Sequence, residues 1–247
     1  MKFRWNCGRN KPPQSSFAYE LKRKRAQIEL DTKSEQIISE LIDSLKNNNE
    51  IIEFSDYGVG SKKLTNKRKV SAVLATSSSK GKFGKLLFQL TQFLKPKETL
   101  ELGTSLGLGS IMLKLGYPKG NVTTVEACPN THSIAKKNFT DISLRIEAKN
   151  NTFKNFLAEN REVNYDLIFI DGHHDGEALL EYMSRLKPFT NENTLFILDD
   201  IRWSESMRDA WEKIIESDEY HTTVDFFRMG LVRYDLAQDK SHYCLQV

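Results

Sequence analysis

Five carboxylates in this sequence stand where short β-type runs end. Glu101 lies in the run Thr99–Leu102, Glu126 closes Asn121–Glu126, Asp171 follows Tyr165–Ile170, and Asp199 and Asp200 follow Thr194–Leu198. The stretch from Leu100 to Ser110 carries Gly103, Gly107 and Gly109 at the first strand-to-helix turn. Glycine there lets backbone turn sharply and approach a ligand. The pattern is not GxGxxG, and Glu101 would repel a phosphate, so a pyrophosphate binder is disfavoured. A carboxylate at that place suits a cationic amino group. Glu126 follows 25 positions later (126 − 101), where a carboxylate can accept from ribose hydroxyls. Asp171, Asp199 and Asp200 at neighbouring strand ends would face one crevice, and oxygen donors without thiolates suit a hard cation such as Mg²⁺. The competing reading makes Asp199 a helix cap and Asp171 a brace for the glycine turn. His173 and His174 follow Asp171 directly. An imidazole, with an ordinary pKa of about 6.5, removes protons near neutral pH. It can also ligate a metal or orient a substrate, and either histidine can be the one that faces the crevice.

Positioning these groups requires a sheet whose strands end on one edge. From residue 98 onward, β-type runs alternate with helical patterns such as Leu108/Ile111/Met112/Leu115 and Leu179/Tyr182/Met183/Leu186. Strict alternation predicts a parallel sheet covered on both faces. Leu144–Glu147 is a further strand candidate. The last two runs, His221–Phe227 and Gly230–Tyr234, are separated by Arg228-Met229 alone, so they must pair antiparallel. The expectation is an α/β fold with a seven-stranded, mostly parallel sheet, a C-terminal antiparallel hairpin and an N-terminal helical extension. Residues 1–95 form the extension and 96–247 the α/β domain.

Within the extension, a polar lead-in precedes a helix expected over Phe17–Leu30. A second helix starts at Thr32, whose spacing to Glu35 is that of a capping box. Residues 55–81 are rich in Ser, Gly and Lys and are long for a loop, so they are expected to be a lid or partly helical. Asp56–Ser61 reads as a tight turn of such a lid. Ser77–Ser79 offer hydroxyls to a ligand or lie in a solvated loop.

The chain has 247 residues, 39% hydrophobic and 28% charged, with net charge +3. Its basic clusters, Lys22–Arg25, Lys62–Lys69 and Lys80–Lys85, read as solvated faces more readily than as a nucleic-acid surface. Cys7, Cys128 and Cys244 are odd in number and far apart, which disfavours a disulfide framework or structural zinc. No apolar run has the length of a membrane span, and Met1–Pro13 carries Arg, Lys and Asn where a signal peptide would need an apolar core. A cytoplasmic, reducing setting is expected, and a homo-oligomer remains open.

The segment ELGTSLGLGS resembles the first cofactor motif of class I methyltransferases. Its form is similar to that of the metal-dependent small-molecule O-methyltransferases of catechol and caffeoyl-CoA type. The upstream KGKFGKLL resembles the helix preceding that motif. The parallel sheet ending in an antiparallel hairpin is likewise the arrangement of the class I methyltransferase fold, which is Rossmann-like. The resemblance spans roughly residues 70–235, and a bacterial methyltransferase group without an assigned acceptor looks closest.

It implies S-adenosylmethionine as cofactor. Glu101, Gly103, Thr104 and Gly107 would hold the methionine end, Glu126 the ribose, and the turn at Asn151 would border the adenine, with Asp171 near the cofactor. It also implies a divalent metal, such as Mg²⁺, on Asp171, Asp199 and Asp200, with Trp203 following. The Asp-Asp pair is closer to macrolide-sugar O-methyltransferases than to the plant-type enzymes, which carry Asn second. His174 stands where the catechol-type enzymes place a lysine base.

The function so implied is methyl transfer to an oxygen of a small-molecule acceptor. Two alternatives stand beside it. One is an RNA methyltransferase using the basic N-terminal region, though no Asn/Asp-Pro-Pro-Tyr/Phe motif is present. The other is a cofactor-binding protein without catalysis.

Overall fold

The computed structural model describes residues 12–14, 16–56, 64–77, 79–159, 162–234 and 239–247. Two helices lead, α1 (Phe17–Arg25) and α2 (Thr32–Asn47). Ser16 caps α1 by accepting from Tyr19 N at 3.2 Å. The cap of α2 is Asp31, not Thr32: its carboxylate accepts from Ser34 N at 3.0 Å. Asp outcompetes the expected capping box because a carboxylate also complements the helix N-terminal charge. α1 is shorter than expected, since Lys22–Arg25 end it and Ile28 and Leu30 pack against the core outside it.

Next come β1 (Ile51–Asp56) and β2 (Leu64–Lys69), paired antiparallel, then α3 (Val70–Thr76) and α4 (Gly81–Leu94). The stretch expected as lid or partial helix therefore contains a hairpin arm and a short helix. The tip at 57–63 lies outside the described residues, and so does most of the Asp56–Ser61 turn.

The α/β part runs β3 (Glu98–Leu102), α5 (Leu108–Gly116), β4 (Asn121–Glu126), α6 (Pro129–Asp141), β5 (Glu147–Asn150), α7 (Phe153–Ala158), β6 (Tyr165–Ile170), α8 (Gly176–Leu186) and β7 (Thr190–Leu198). It ends with α9 (Glu205–Glu216), β8 (Thr222–Asp225), β9 (Gly230–Arg233) and β10 (Ser241–Cys244). The sheet order is β10-β8-β9-β7-β6-β3-β4-β5. β3 to β7 are mutually parallel, and β9 joins β7 and β8 antiparallel, as the short link required. The sheet has eight strands rather than seven, because the tail folds back and β10 pairs parallel with β8. The apolar run at Leu144 enters β5 rather than forming it. Leu144 N bonds Phe139 O at 2.9 Å, and Leu144 and Ile146 pack against the α5–α6 core.

β6 shows why the centre is stable. Leu167 and Phe169 face one core, shared with α1 and α4, while Ile168 and Ile170 face the other, shared with α8 and α9. Each of these four is at most 3% exposed. Full burial of such a side chain contributes about 1.5–3 kcal/mol. The N-terminal elements share these cores with the α/β part: Leu41, Leu45 and Val70 pack with Leu108, Ile111 and Phe139. The arm docks on the β4–α6 turn, where Ser55 N donates to Cys128 Sγ at 3.4 Å and Asn130 Nδ2 to Glu53 O at 2.7 Å.

The chain winds outward from β3 in both directions, toward β5 and toward β7. The gap between β3 and β6 is therefore the topological switch point, where ligands of open α/β sheets bind. No helix among the described residues is long and apolar enough to cross a membrane.

Candidate functional site

Glu101 lies inside β3 and is 1% exposed. Parallel pairing places Thr124 of β4 opposite it, and Thr124 Oγ1 donates to Glu101 Oε2 at 2.6 Å. Ser110 Oγ donates to the same oxygen. Thr104 is 2.5 Å from Thr124, so its hydroxyl braces the Glu101 chain from within the core. The other oxygen, Glu101 Oε1, is buried without a hydrogen-bond partner among the described residues. A Cβ on Gly109 would fall 2.2 Å from it and 3.1 Å from Ser79 Oγ, so only glycine leaves this carboxylate room. Burial pushes the Glu101 carboxyl up to about 7, against the pull of Ser110 and Thr124.

A buried, unmatched carboxylate oxygen is costly unless a donor arrives. A cationic amino group is the donor that also restores the charge. The methionine end of the cofactor implied by the sequence fits this demand.

Gly103, at φ +110°, turns the chain out of β3, and a Cβ there would meet Asp171 O at 2.0 Å. The turns after β3 and β6 thus touch backbone to backbone. Gly107 is the N-cap of α5 at φ +88°. Glu126, at the end of β4, accepts from Ser105 N at 2.7 Å and Cys128 N at 2.9 Å. Burial raises its pKa against those N–H groups. Asn151 N bonds Glu126 O at 3.1 Å, which brings the β5 turn to the same edge. The Asn151 side chain itself reaches Glu159 Oε1 at 2.9 Å.

Asp171 accepts from Ser79 Oγ at 3.3 Å, and Ser79 is 4% exposed. One of the three serines upstream of α4 is therefore a buried part of the site.

The second half of the crevice is built by the turns after β6, β7 and β8. His173, Asp200 and Phe227 all adopt positive φ there (56°, 52° and 75°). Left-handed backbone in non-glycine residues costs about 1–3 kcal/mol, and its clustering marks a functional edge. His173 Nδ1 lies 2.5 Å from Tyr182 Oη, which holds its ring toward α8. His174 turns the other way: its Nδ1 is 3.7 Å from Asp200 Oδ2 and its ring 5.9 Å from that of Trp203. Trp203 is 69% exposed, too open for a core aromatic.

Asp199 does not cap α9. Ser204 does, accepting from Met207 N at 3.2 Å. Both Asp199 and Asp200 instead meet Arg228, which the sequence analysis did not single out. Arg228 Nε is 3.3 Å from Asp199 Oδ1 and 2.9 Å from Asp200 Oδ1. Its Nη2 is 3.5 Å from Asp199 Oδ2. Burial raises the Asp200 carboxyl, and the neighbouring charge of Asp199 adds to it, against Arg228 and His174. Burial alone would lower Arg228, yet Asp199 and Asp200 hold it above its ordinary value.

The metal expected on Asp171, Asp199 and Asp200 is a poor fit to this arrangement. Both oxygens of Asp199 and Oδ1 of Asp200 already face the Arg228 guanidinium, while Asp171 meets Ser79 and Asp200 Oδ2 faces His174. Among the described residues, the one acid–histidine–cysteine group close enough to share an ion is Asp225, His242 and Cys244. Asp225 there already receives Arg202, Trp211 and Phe227 N.

Comparison with known proteins bears on the fold. Residues 100–201 match the model of a methyltransferase domain. A catechol O-methyltransferase of Niastella koreensis is 31% identical over 134 residues, covering 52% of this chain. The chain spans 58% of the length of that relative. An O-methyltransferase of Bacillus cereus, solved with S-adenosylhomocysteine, superposes with TM-score 0.56 at 20% identity over 87% of this chain and 97% of that one. An S-adenosylhomocysteine-bound methyltransferase of Podospora anserina gives 0.56 at 14% identity over 84% and 98%. At such identities the likeness establishes the fold. The chain thus has the Rossmann-like fold of class I methyltransferases, and its residues 100–201 are similar to a methyltransferase domain.

Proposed function

We propose that this protein is an S-adenosylmethionine-dependent methyltransferase acting on a hydroxyl oxygen of a small-molecule acceptor. The observation that carries the cofactor is the buried Glu101 carboxylate with its unmatched Oε1 beside Gly109 and near Ser79. Glu101 takes the cofactor's amino group, Glu126 its ribose hydroxyls, and the β5 turn at Asn151 borders its adenine. The cofactor supplies an electrophilic methyl group on a sulfonium.

The chain supplies the base. His174 Nδ1 faces Asp200, which leaves Nε2 to accept the acceptor's hydroxyl proton. The deprotonated oxygen would take the methyl group from the sulfonium, with the C–S bonding pair left on sulfur. The proton remains on His174 until solvent removes it. Asp200 stabilises the resulting imidazolium. Trp203 walls the acceptor side, and His173, held by Tyr182, positions the turn.

The catechol O-methyltransferase relative supports oxygen as the methylated atom. The basic clusters favour a small molecule over RNA, because two of their cations already have partners within the chain. Lys80 donates to Leu74 O and Ala75 O, and Lys85 pairs with Glu29.

Calorimetric titration with S-adenosylhomocysteine tests the reading, followed by methyl transfer to catechol-type hydroxyl acceptors and to RNA. Binding that is lost in Glu126→Ala, with transfer to the hydroxyl acceptor, is expected. A wild type that does not bind the cofactor product would leave the non-catalytic reading without a cofactor and refute this one.

A further inference from the structure

Arg228 is tied to the Asp199–Ile201 segment twice. Its side chain takes both carboxylates, and its backbone oxygen accepts from Ile201 N at 3.0 Å. The hairpin turn between β8 and β9 is thereby fastened to the end of β7. The guanidinium also lies over the Phe83 ring of α4, 5.6 Å from its centroid, so a third element packs on it. Asp199 is fully buried at its side chain, and Asp200 nearly so, at 11% exposure. Two adjacent buried carboxylates need a cation, and the fold delivers one from its own chain.

We infer that Arg228 is the built-in counter-ion of the acceptor site, standing in place of a divalent metal, so that the methyl transfer proceeds without one. This rests on the O-methyltransferase reading above. A divalent ion binds carboxylate oxygens at about 2.0–2.6 Å and would lie within a few ångströms of the guanidinium. Like charges at that separation repel strongly in a half-buried setting. Both cannot use the same oxygens of Asp199 and Asp200.

Arg228 also serves the chemistry. When the acceptor oxygen sheds its proton to His174, the site gains a negative oxygen beside the Asp199–Asp200 pair. Without a cation that oxygen would face two bare carboxylates, and its deprotonation would be opposed. Arg228 leaves the cluster near net −1 rather than −2. It acts as a positioning and charge-balancing residue, and His174 remains the base.

The test is Mn²⁺ titration of the full chain followed by electron paramagnetic resonance, with S-adenosylhomocysteine binding measured on the same samples. Wild type is expected to leave the free-ion signal unchanged, and its methyl transfer to persist in EDTA. Arg228→Ala is expected to gain Mn²⁺ affinity by about tenfold or more, because a positive charge is removed from the carboxylate pair. That gain is lost again in Arg228→Ala/Asp200→Asn. A wild type that binds one Mn²⁺ tightly, with binding abolished by Asp199→Asn/Asp200→Asn, overturns the inference. If Arg228→Ala does not fold, the wild-type arm decides alone. Failure of wild type to bind S-adenosylhomocysteine would instead strike the functional reading.

Discussion

Two arginine–aspartate clusters flank the same hairpin turn, and they differ in how fully their acids are satisfied. Asp225 is 1% exposed and accepts from Arg202 Nη1 at 3.0 Å, from Arg202 Nη2, from Trp211 Nε1 at 3.1 Å and from Phe227 N at 2.6 Å. One carboxylate there has four donors. Around Arg228 the ratio is inverted: one guanidinium serves Asp199 and Asp200 together, and His174 waits 3.7 Å from the second. The saturated cluster holds the fold. The second cluster shares one guanidinium between two acids and places Asp200 beside His174. Burial and ion pairing look alike in both, and the donor count separates them.

That contrast can be broken by substitution. Asp225→Ala removes the carboxylate that Arg202, Trp211 Nε1 and Phe227 N all meet, and is expected to cost about 3–5 kcal/mol, lowering Tm by on the order of 10 °C. A thermal melt with a shift under a few degrees would show that the saturated cluster is not structural.

His174→Ala addresses the other side. Loss of a general base is expected to reduce kcat by about 10²–10⁴-fold. S-adenosylhomocysteine affinity and Tm should stay near wild type, since His174 is part-exposed and packs chiefly on the open Trp203 ring. Retained kcat would move the base elsewhere.

The third test extends the contrast to Glu101, an acid with two donors on one oxygen and none on the other. Its folded pKa of about 7 lies above the ordinary 4.5. The folded state therefore holds the proton more tightly than the unfolded chain. The associated stability is full below the unfolded value and is lost as pH rises through the folded one. For the cofactor-free protein this is a decline of about 3 kcal/mol at most between pH 4.5 and 7. Glu101→Gln should flatten that decline in denaturant titrations. A cationic amino group on Oε1 should lower the pKa again, so cofactor binding near pH 6.5 should release a fraction of a proton. Calorimetry in buffers of different ionisation heat reads this directly, and no buffer dependence would mean that Glu101 does not meet the amino group.

The smallest effect belongs to Ser79→Ala. It removes one exchangeable hydrogen bond to Asp171 and is expected to weaken S-adenosylhomocysteine binding by a few-fold, on the order of 1 kcal/mol. An unchanged affinity would return Ser79 to a purely local role.

Much of this was legible before any fold was known. Alternating β and helical periods required a parallel sheet, and a two-residue link between the last strands required antiparallel pairing. Strand ends carrying Glu101, Glu126, Asp171, Asp199 and Asp200 had to share one edge, because parallel strands present their carboxyl ends together. These are local or periodic signals, and they survive folding because backbone geometry enforces them. The partners of those acids were not legible. Thr124 meets Glu101 through strand register, Ser79 meets Asp171 across 92 positions, and Arg228 meets Asp199 across 29. The β10 strand and the Ser55–Cys128 contact are of the same kind. Sequence spacing sets which residues stand at a strand's end. Which donor reaches them depends on side chains converging from separate elements, and that convergence exists only once the core has packed. The pairing of Arg228 with Asp199 and Asp200 arises in the same way.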